Sequence, residues 1–236
     1  MTALFSGQWP LLPLLPSCFV RVMPHKPAHD RAIQDEIERI WADACRAIPS
    51  LFNGCVFSAT RITSGCIDGY WTEYKSVLAQ MKKPELFPTL RLQPLAVIGL
   101  LETPEGFVLG RRHPSSLYQG NFWQSPPAGS IEKRGTTHHV DLKEQLLAEA
   151  EEELGLTADL LEVGAPRLVA RHPGTRILDI GMPLKTHCSF QQVKACWHAS
   201  ANREYDQLAL VPHKHRAEWL AHHDILPTSR ALLEQA

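Results

Sequence analysis

The stretch DLKEQLLAEAEEELG, residues 141–155, decides the fold expected for this chain. Leu, Glu, Lys, Gln and Ala dominate it, and neither Gly nor Pro interrupts it before its last position, which predicts an α-helix. Asp141 has the short polar side chain typical of an N-cap. Gly155 stands where helices commonly end in a left-handed residue. A helix with defined ends is therefore predicted over residues 141–154.

Three carboxylates share one face of this predicted helix. Glu149, Glu152 and Glu153 stand at positions i, i+3 and i+4, and like charges at this spacing repel one another. A divalent cation would remove the repulsion, and hard oxygen ligands suit magnesium or manganese. The alternative is an acidic face that is only solvated, the common surface pattern. The preceding Pro/Gly loop, SPPAGSIE at residues 125–132, favours the metal, because a glycine loop lets backbone N–H groups approach a phosphate.

The loop and the helix together resemble the Nudix box, G-x(5)-E-x(7)-R-E-U-x-E-E-x-G-U, in which U is a bulky apolar residue. Gly129 looks like its opening glycine. Residues 149–156, EAEEELGL, match its last eight positions, with Ala at the first apolar one. The resemblance implies that Glu149, Glu152 and Glu153 bind Mg²⁺ or Mn²⁺. The preceding FVLGRR, residues 107–112, is also similar to the strand that leads into the box in that family.

The chain departs from the Nudix pattern in two ways. The interval from Gly129 to Glu149 is five residues longer than in the pattern. Ala148 stands where the family has the Arg that braces the glutamates, and no Glu lies at the place expected before it, which is Val140 counted back or Gly135 counted forward. These departures leave open a catalytically weak or inactive Nudix-fold module that binds a nucleotide or regulates.

The resemblance implies an α/β fold, a Nudix α/β/α sandwich with a mixed sheet over residues 89–236. A small α+β extension, residues 1–88, precedes it. The implied activity is metal-dependent hydrolysis of the pyrophosphate bond in a nucleoside diphosphate linked to another group. The extension resembles, in segment order, the N-terminal part of the eukaryotic Nudix enzymes that cleave UDP-glucose and UDP-galactose. The favoured substrate is therefore a UDP-sugar, giving UMP and sugar 1-phosphate.

Four residues are candidates for binding the substrate. Gly129 would let the backbone approach a phosphate. Arg111 and Arg112 alternate sides of a strand, so one should face the cleft, where an Arg can hold a diphosphate by two contacts. A surface Arg at a strand end is an equal alternative for each. Trp123 is a candidate for stacking on the nucleobase, although packing against the sheet is the commoner role.

The candidate catalytic groups are carboxylates. Glu152 and Glu153 belong to the box, and Glu204 or Asp206, with Glu204 preferred, could supply an additional carboxylate near the metals. A turn with capping residues is the alternative for that pair. Glu153 or Glu204 would take a proton from the attacking water, and the sequence does not choose between them.

The bulk composition is that of an ordinary globular protein, with 236 residues, 44% apolar and 21% charged. A net charge of −1 gives no case for nucleic acid or an anionic membrane as partner. The Nudix resemblance implies a small-molecule nucleotide as substrate. Six scattered cysteines without a CxxC pair favour a reducing cytoplasm. Residues 1–22 have prolines within the apolar run and no basic residue before it, so an extended segment on the fold is expected rather than a signal peptide. Pairing into a homodimer is left open.

The remaining chain alternates strand and helix patterns. Helices are predicted over residues 29–47, 74–81, 214–223 and 227–235, and strands over 17–22, 54–62, 94–102, 107–112, 168–171, 177–182 and 207–212. Residues 189–195 fit a strand or a short helix equally well. Trp41, Leu51 and Phe52 are expected in the core.

Overall fold

The computed structural model describes residues 9–24, 27–116, 119–134 and 139–236. The strands are, in chain order, β1 (Leu11–Pro13), β2 (Phe19–Val22), β3 (Cys55–Ile62), β4 (Cys66–Glu73), β5 (Leu95–Thr103), β6 (Gly106–Arg112), β7 (Trp123–Gln124), β8 (Ala128–Ser130), β9 (His139–Val140), β10 (Leu161–Val163), β11 (Leu168–Arg171), β12 (Leu178–Thr186) and β13 (Tyr205–Pro212). The α-helices are α1 (Arg31–Ala47), α2 (Tyr74–Lys82), α3 (Phe87–Leu90), α4 (Leu142–Leu154), α5 (Phe190–Ser200), α6 (Arg216–His222) and α7 (Pro227–Glu234). Short 3-10 turns lie at Pro84–Leu86, Ala158–Leu160 and His213–His215.

The described strands form two mixed sheets. The larger runs β1-β11-β12-β5-β6-β13, with β10, β7 and β8 paired to β12, β6 and β5. Its β12–β5 pair is parallel and the other pairs are antiparallel. The smaller sheet runs β3-β4-β2-β9, with β2 parallel to β4. The expected α/β fold with a mixed sheet is therefore confirmed.

Helices cover both faces of the larger sheet. On one face, α4 buries Leu146 and Leu154 completely, in the same apolar cluster as the β5 side chains Leu95 and Val97. On the other face, Ala231, Leu232 and Leu233 of α7 pack in a second cluster with residues of β5 and β6. Each fully buried leucine contributes about 1.5–3 kcal/mol relative to an exposed one. The apolar runs of β5 and α4 thus fix the layered packing that carries the site.

Local signals place α4 where the sequence predicts it. The Asp141 side chain accepts the backbone N–H groups of Lys143 and Glu144, and Gly155 ends the helix at φ 65°. The undecided stretch 189–195 is helical: Ser189 and Gln192 form a reciprocal capping box at the start of α5. Phe52 was expected in the core and that expectation is wrong, since it is 79% exposed in the connection between α1 and β3.

The two sheets exchange strands across the predicted boundary at residue 88. From the N-terminal segment, β1 joins the larger sheet on β11. From the long loop of the box, β9 joins the smaller sheet on β2. The division at residue 88 stays a prediction, and each sheet contains chain from both sides of it. Among the described residues, no helix is long and apolar enough to cross a membrane.

Candidate active site

Gly129 and Glu149 are in contact because the Gly loop forms a strand. Gly129 lies in β8 opposite Val97 of β5, and α4 crosses above it. A Cβ built on Gly129 would lie 2.1 Å from the Glu149 carboxyl carbon, far inside van der Waals contact. The absence of a side chain at residue 129 is therefore what lets Glu149 lie against the backbone of the loop.

Glu153 lies deeper in the same site. It is 4% exposed, and its Oε2 accepts the backbone N–H of Ala128 at 3.1 Å and the hydroxyl of Tyr205 at 3.0 Å. Burial, reinforced by the charges of Glu204 and Glu149, raises the pKa of Glu153 well above its usual value. Both bonds come from uncharged donors, so they orient this carboxylate without neutralising it.

Glu149 is also destabilised in its charged form. Burial raises its pKa to about 7, and the charges of Glu152 and Glu132 add to the effect. Glu152 itself is exposed, at the rim of the cavity that Glu149 and Glu153 line. The cluster thus holds more negative charge than its surroundings compensate.

The residues present fit a divalent cation by their chemistry. Carboxylate oxygens are the ligands that Mg²⁺ and Mn²⁺ prefer, and a cation would offset the repulsion that raises the pKa of Glu149 and Glu153. Among the described residues, no three His, Cys, Asp or Glu side chains converge closely enough to form a ready-made metal centre. Glu149 and Glu153 are brought together, whereas Glu152 would have to turn in from the rim.

Arg112 and Glu204 form the facing wall of this cavity. Arg112 Nη1 lies 2.5 Å from Glu204 Oε1 and donates to Gln124 Oε1 at 2.7 Å. All three side chains line the cavity with the box glutamates. Of the two arginines predicted to alternate across the strand, Arg112 is thus the one at the cavity, and Glu204 is the additional carboxylate beside the box.

Arg111 and Asp206 form a separate pair away from the cavity lining. Arg111 Nε and Nη2 each donate to Asp206 at 2.8 Å, a two-point contact between neighbouring strands. Trp123 also lies elsewhere. Its ring packs edge-on against Trp219 at a centroid distance of 5.2 Å, and its backbone N–H is bonded to Asp224. The structure does not bring Arg111 or Trp123 to the carboxylates.

Further residues line the cavity that the sequence did not single out. Asp179 of β12 is held by a 3.0 Å hydrogen bond from Thr228 Oγ1, and burial raises its pKa to about 6. Gln119 is 7% exposed, and its Nε2 has no hydrogen-bond partner. Tyr205, beside Glu204 in the sequence, was passed over because its role depends on the pairing of β13 with β6. The cavity has a volume of about 310 Å³.

No protein-family model and no curated protein matches this chain. Solved structures do match. The MutT protein of Methanosarcina mazei Go1 is 18% identical with a TM-score of 0.43, and the alignment covers 60% of this chain and 91% of that one. For RenU, a Nudix hydrolase from M. smegmatis, the identity is 20%, the TM-score 0.40 and the coverage 61% and 83%. A C. elegans Ap4A hydrolase is 13% identical with a TM-score of 0.39, and the alignment covers 59% of this chain and 93% of that one. These likenesses concern the fold alone.

Proposed function

We propose that this protein is a metal-dependent hydrolase of the Nudix type, which cleaves the pyrophosphate bond of a nucleoside diphosphate linked to another group. One observation carries the proposal: Glu149, Glu153 and Glu204 line one cavity around Gly129, with Arg112 on its wall. The clustered carboxylates suit a cation. The adjacent arginine and the backbone at Gly129, which carries no side chain, suit phosphates, so the cavity suits a ligand that carries phosphates and binds together with a cation. A solvated acidic face would not bury Glu153 and half-bury Glu149.

The chain's own groups have distinct roles in this proposal. Glu149 and Glu153, with Glu152 turned in from the rim, would hold Mg²⁺ or Mn²⁺, which neutralises phosphate charge and lowers the pKa of a bound water. Arg112 and the amide of Gln119 would donate to phosphate oxygens. Glu204 or Glu153 would accept the proton of the water that attacks one phosphorus. The P–O–P bond then breaks, and a nucleoside monophosphate and a phosphorylated second product leave.

The favoured substrate is a UDP-sugar, giving UMP and sugar 1-phosphate. The segment order of the N-terminal extension, with its resemblance to enzymes that cleave UDP-glucose and UDP-galactose, supports this choice. A reducing, cytoplasmic location belongs to the proposal. It is supported by the described residues, which include all six cysteines and contain no disulfide. A homodimer remains an untested expectation.

The alternative is a Nudix-fold module that binds a nucleotide or regulates without efficient turnover. A specific observation favours it: Ala148 replaces the bracing arginine, and the groups that do orient Glu153 are the uncharged Ala128 N–H and Tyr205 hydroxyl. The hydrolase and the binding module differ in whether the site hydrolyses its ligand, which can be measured.

The test is release of phosphate-bearing products from UDP-sugars, ADP-ribose, other nucleotide sugars and dinucleoside polyphosphates. Each compound is incubated with magnesium, with manganese and with chelator. Glu152→Gln is compared with Glu151→Gln, its exposed neighbour. Metal-dependent turnover that is lost in Glu152→Gln and kept in Glu151→Gln supports the hydrolase. Nucleotide binding by the folded protein without turnover of any compound supports the binding module instead.

A further inference from the structure

The cavity has two ends of different chemistry. Its carboxylate end consists of Glu149, Glu152, Glu153 and Glu204 with Arg112. Its other end, here called the apolar end, is lined by Trp9, Tyr74, Val77, Met81, His172 and Ile177. A ligand that fills the whole cavity must therefore be charged at one end and weakly polar at the other.

The two ends lie along strand β5. Glu153 is bonded to Ala128, which pairs with Ile98, so the carboxylate end is near Ile98. The apolar end is near Pro94, where Ser58 of β3 bridges to the larger sheet. Four strand residues span roughly 13 Å, a length that accommodates phosphates and an attached ring system.

The apolar end contains a buried donor without a partner. Trp9 is 7% exposed, and its ring packs edge-on against His172 at 4.6 Å between centroids. Its indole Nε1–H makes no hydrogen bond. An indole N–H is a donor only, and leaving it unsatisfied in the interior costs about 1–3 kcal/mol. A ligand that presents an acceptor here would remove that cost.

His172 adds a second neutral ring to this end. Its Nδ1 accepts the backbone N–H groups of Gly174 at 3.0 Å and Thr175 at 2.9 Å, and burial lowers its pKa. The neutral ring therefore carries its hydrogen on Nε2. Together with Tyr74, Val77 and Met81, the two rings make the surface of the apolar end aromatic and aliphatic.

We infer that the apolar end binds the nucleobase of the substrate, specifically a pyrimidine, with a ring carbonyl oxygen accepting from Trp9 Nε1. This inference rests on the proposed function. A sugar rich in hydroxyls would bury polar groups against Val77, Met81 and Ile177 without partners, which is costly. A flat base with a carbonyl oxygen suits the aromatic walls. The volume of about 310 Å³, shared with the phosphates, favours a pyrimidine over a purine.

The N-terminal segment and α2 then have a function in recognition. Trp9 is placed by the chain that forms β1, since Arg171 N–H of β11 is bonded to the carbonyl of Pro10. Tyr74, Val77 and Met81 all come from α2. The residues that select the base thus lie outside the acidic helix and its loop.

The experiment measures binding to the full chain by calorimetry, with UMP, AMP, glucose 1-phosphate and inorganic pyrophosphate as probes. Trp9→Phe keeps a ring and removes the N–H donor. We expect roughly tenfold weaker binding of UMP and unchanged binding of glucose 1-phosphate and pyrophosphate. Trp197→Phe is the matched control, because Trp197 is also a buried tryptophan whose Nε1 has no partner, and it is absent from the cavity lining.

A second variant fills the apolar end instead of removing a donor. Met81→Trp should abolish UMP binding and spare pyrophosphate, and thermal unfolding checks that each variant is folded. Equal UMP affinity in wild type, Trp9→Phe and Met81→Trp would overturn the inference, as would wild-type affinity for AMP equal to that for UMP. UMP binding by a protein that hydrolyses nothing would remove the proposed hydrolase and keep the base site. Equal rates of hydrolysis for substrates with different bases would keep the proposed hydrolase and overturn the base site.

Discussion

The phenolic oxygen of Tyr205 lies 3.0 Å from Glu153 Oε2, and both side chains are buried. Gly110 makes room for the ring, because a Cβ on Gly110 would lie 2.4 Å from it. Tyr205 therefore helps to fix the position of Glu153 in a chain that has Ala148 where the Nudix resemblance would place an arginine. Tyr205 follows Glu204 directly in the chain, and the Glu204 carboxylate is paired with Arg112.

Replacing Tyr205 by Phe should weaken metal-dependent turnover about tenfold, because a hydrogen bond to a carboxylate contributes about 1.5–3 kcal/mol. Manganese binding, measured without substrate by calorimetry, should weaken in parallel. Tyr70→Phe is the control: Tyr70 is also buried and bonded through its hydroxyl to Ser58, in the smaller sheet. Loss of metal binding in both variants would contradict a specific role for Tyr205.

Gly129→Ala should lower turnover by roughly a hundredfold while leaving a folded protein. The new Cβ meets the Glu149 carboxyl, the far end of a flexible side chain, so the carboxylate moves and the backbone need not. Displacement of a reacting group by about 1 Å can cost this much. Gly65→Ala is the matched control, since its nearest contact is an ordinary 3.6 Å to Leu15. Activity assays and thermal unfolding separate the two effects.

Glu149 predicts a pH dependence for the metal-free protein. Its folded pKa of about 7 lies above the ordinary value of 4.5, so the stability linked to its protonation is present below about pH 4.5 and lost as the pH rises through 7. When the pH is raised from 6 to 8.5 in the presence of chelator, the free energy of unfolding of the wild type should fall by about 1–2 kcal/mol more than that of Glu149→Gln. Denaturant unfolding at the two pH values measures the difference. Magnesium should raise the stability of wild type more than that of the variant.

The lowered pKa of Asp68 should make folding stability depend on pH in the opposite direction, at acid pH. Arg21 and Arg61 donate to its two oxygens at 2.9 and 2.8 Å and hold its pKa at about 2, against burial. This stability is present above about pH 3.8 and lost as the pH falls through 2. Asp68→Asn should cost about 1–2 kcal/mol at pH 7, discounted because both arginines are partly exposed. Asp43→Asn is the control. It removes exposed ion pairs, and it should change the free energy of unfolding by less than about 0.5 kcal/mol.

Substitutions of the adjacent residues Arg111 and Arg112 should differ in their effect on turnover. Arg112→Lys loses the planar guanidinium, whose Nη1 contacts both Glu204 and Gln124, and should reduce turnover about tenfold or more. Arg111→Lys changes a pair with Asp206 away from the cavity and should leave turnover within about twofold. Steady-state kinetics on the same substrate compare them. Equal losses would mean that Arg111 also reaches the substrate.

The sequence predicted the parts of the fold that depend on local signals. Asp141 and Gly155 delimit α4 as expected, and the apolar run of β5 is a buried strand. The spacing also placed Glu149, Glu152 and Glu153 on one face, but not at equal depth. At about 100° per residue, Glu149 and Glu153 differ by only roughly 40° and face the core edge together, whereas Glu152 points towards solvent.

The remainder of the site depends on contacts between distant segments. Tyr205 reaches Glu153 because β13 pairs with β6, and Trp9 reaches the cavity because β1 pairs with β11. Neither residue stands in a pattern of its own that periodicity or spacing could detect. Trp123 was a candidate for stacking on the base, with packing as the commoner role, and its ring packs against Trp219 of α6. For Tyr205 and Trp9, the pairing of strands, which a single sequence does not encode locally, decided the position.

Because β1 pairs with β11 and β9 pairs with β2, a cut at residue 88 would break a strand pairing in each of the two sheets. A fragment starting at residue 89 would lose the edge strand beside β11 and, with it, Trp9 and α2. It would also leave His139 and Val140, in the loop of the box, without the strand they pair with. An insertion or deletion in that loop would therefore alter the pairing of β9 with β2, so the N-terminal segment and the loop are constrained to change together.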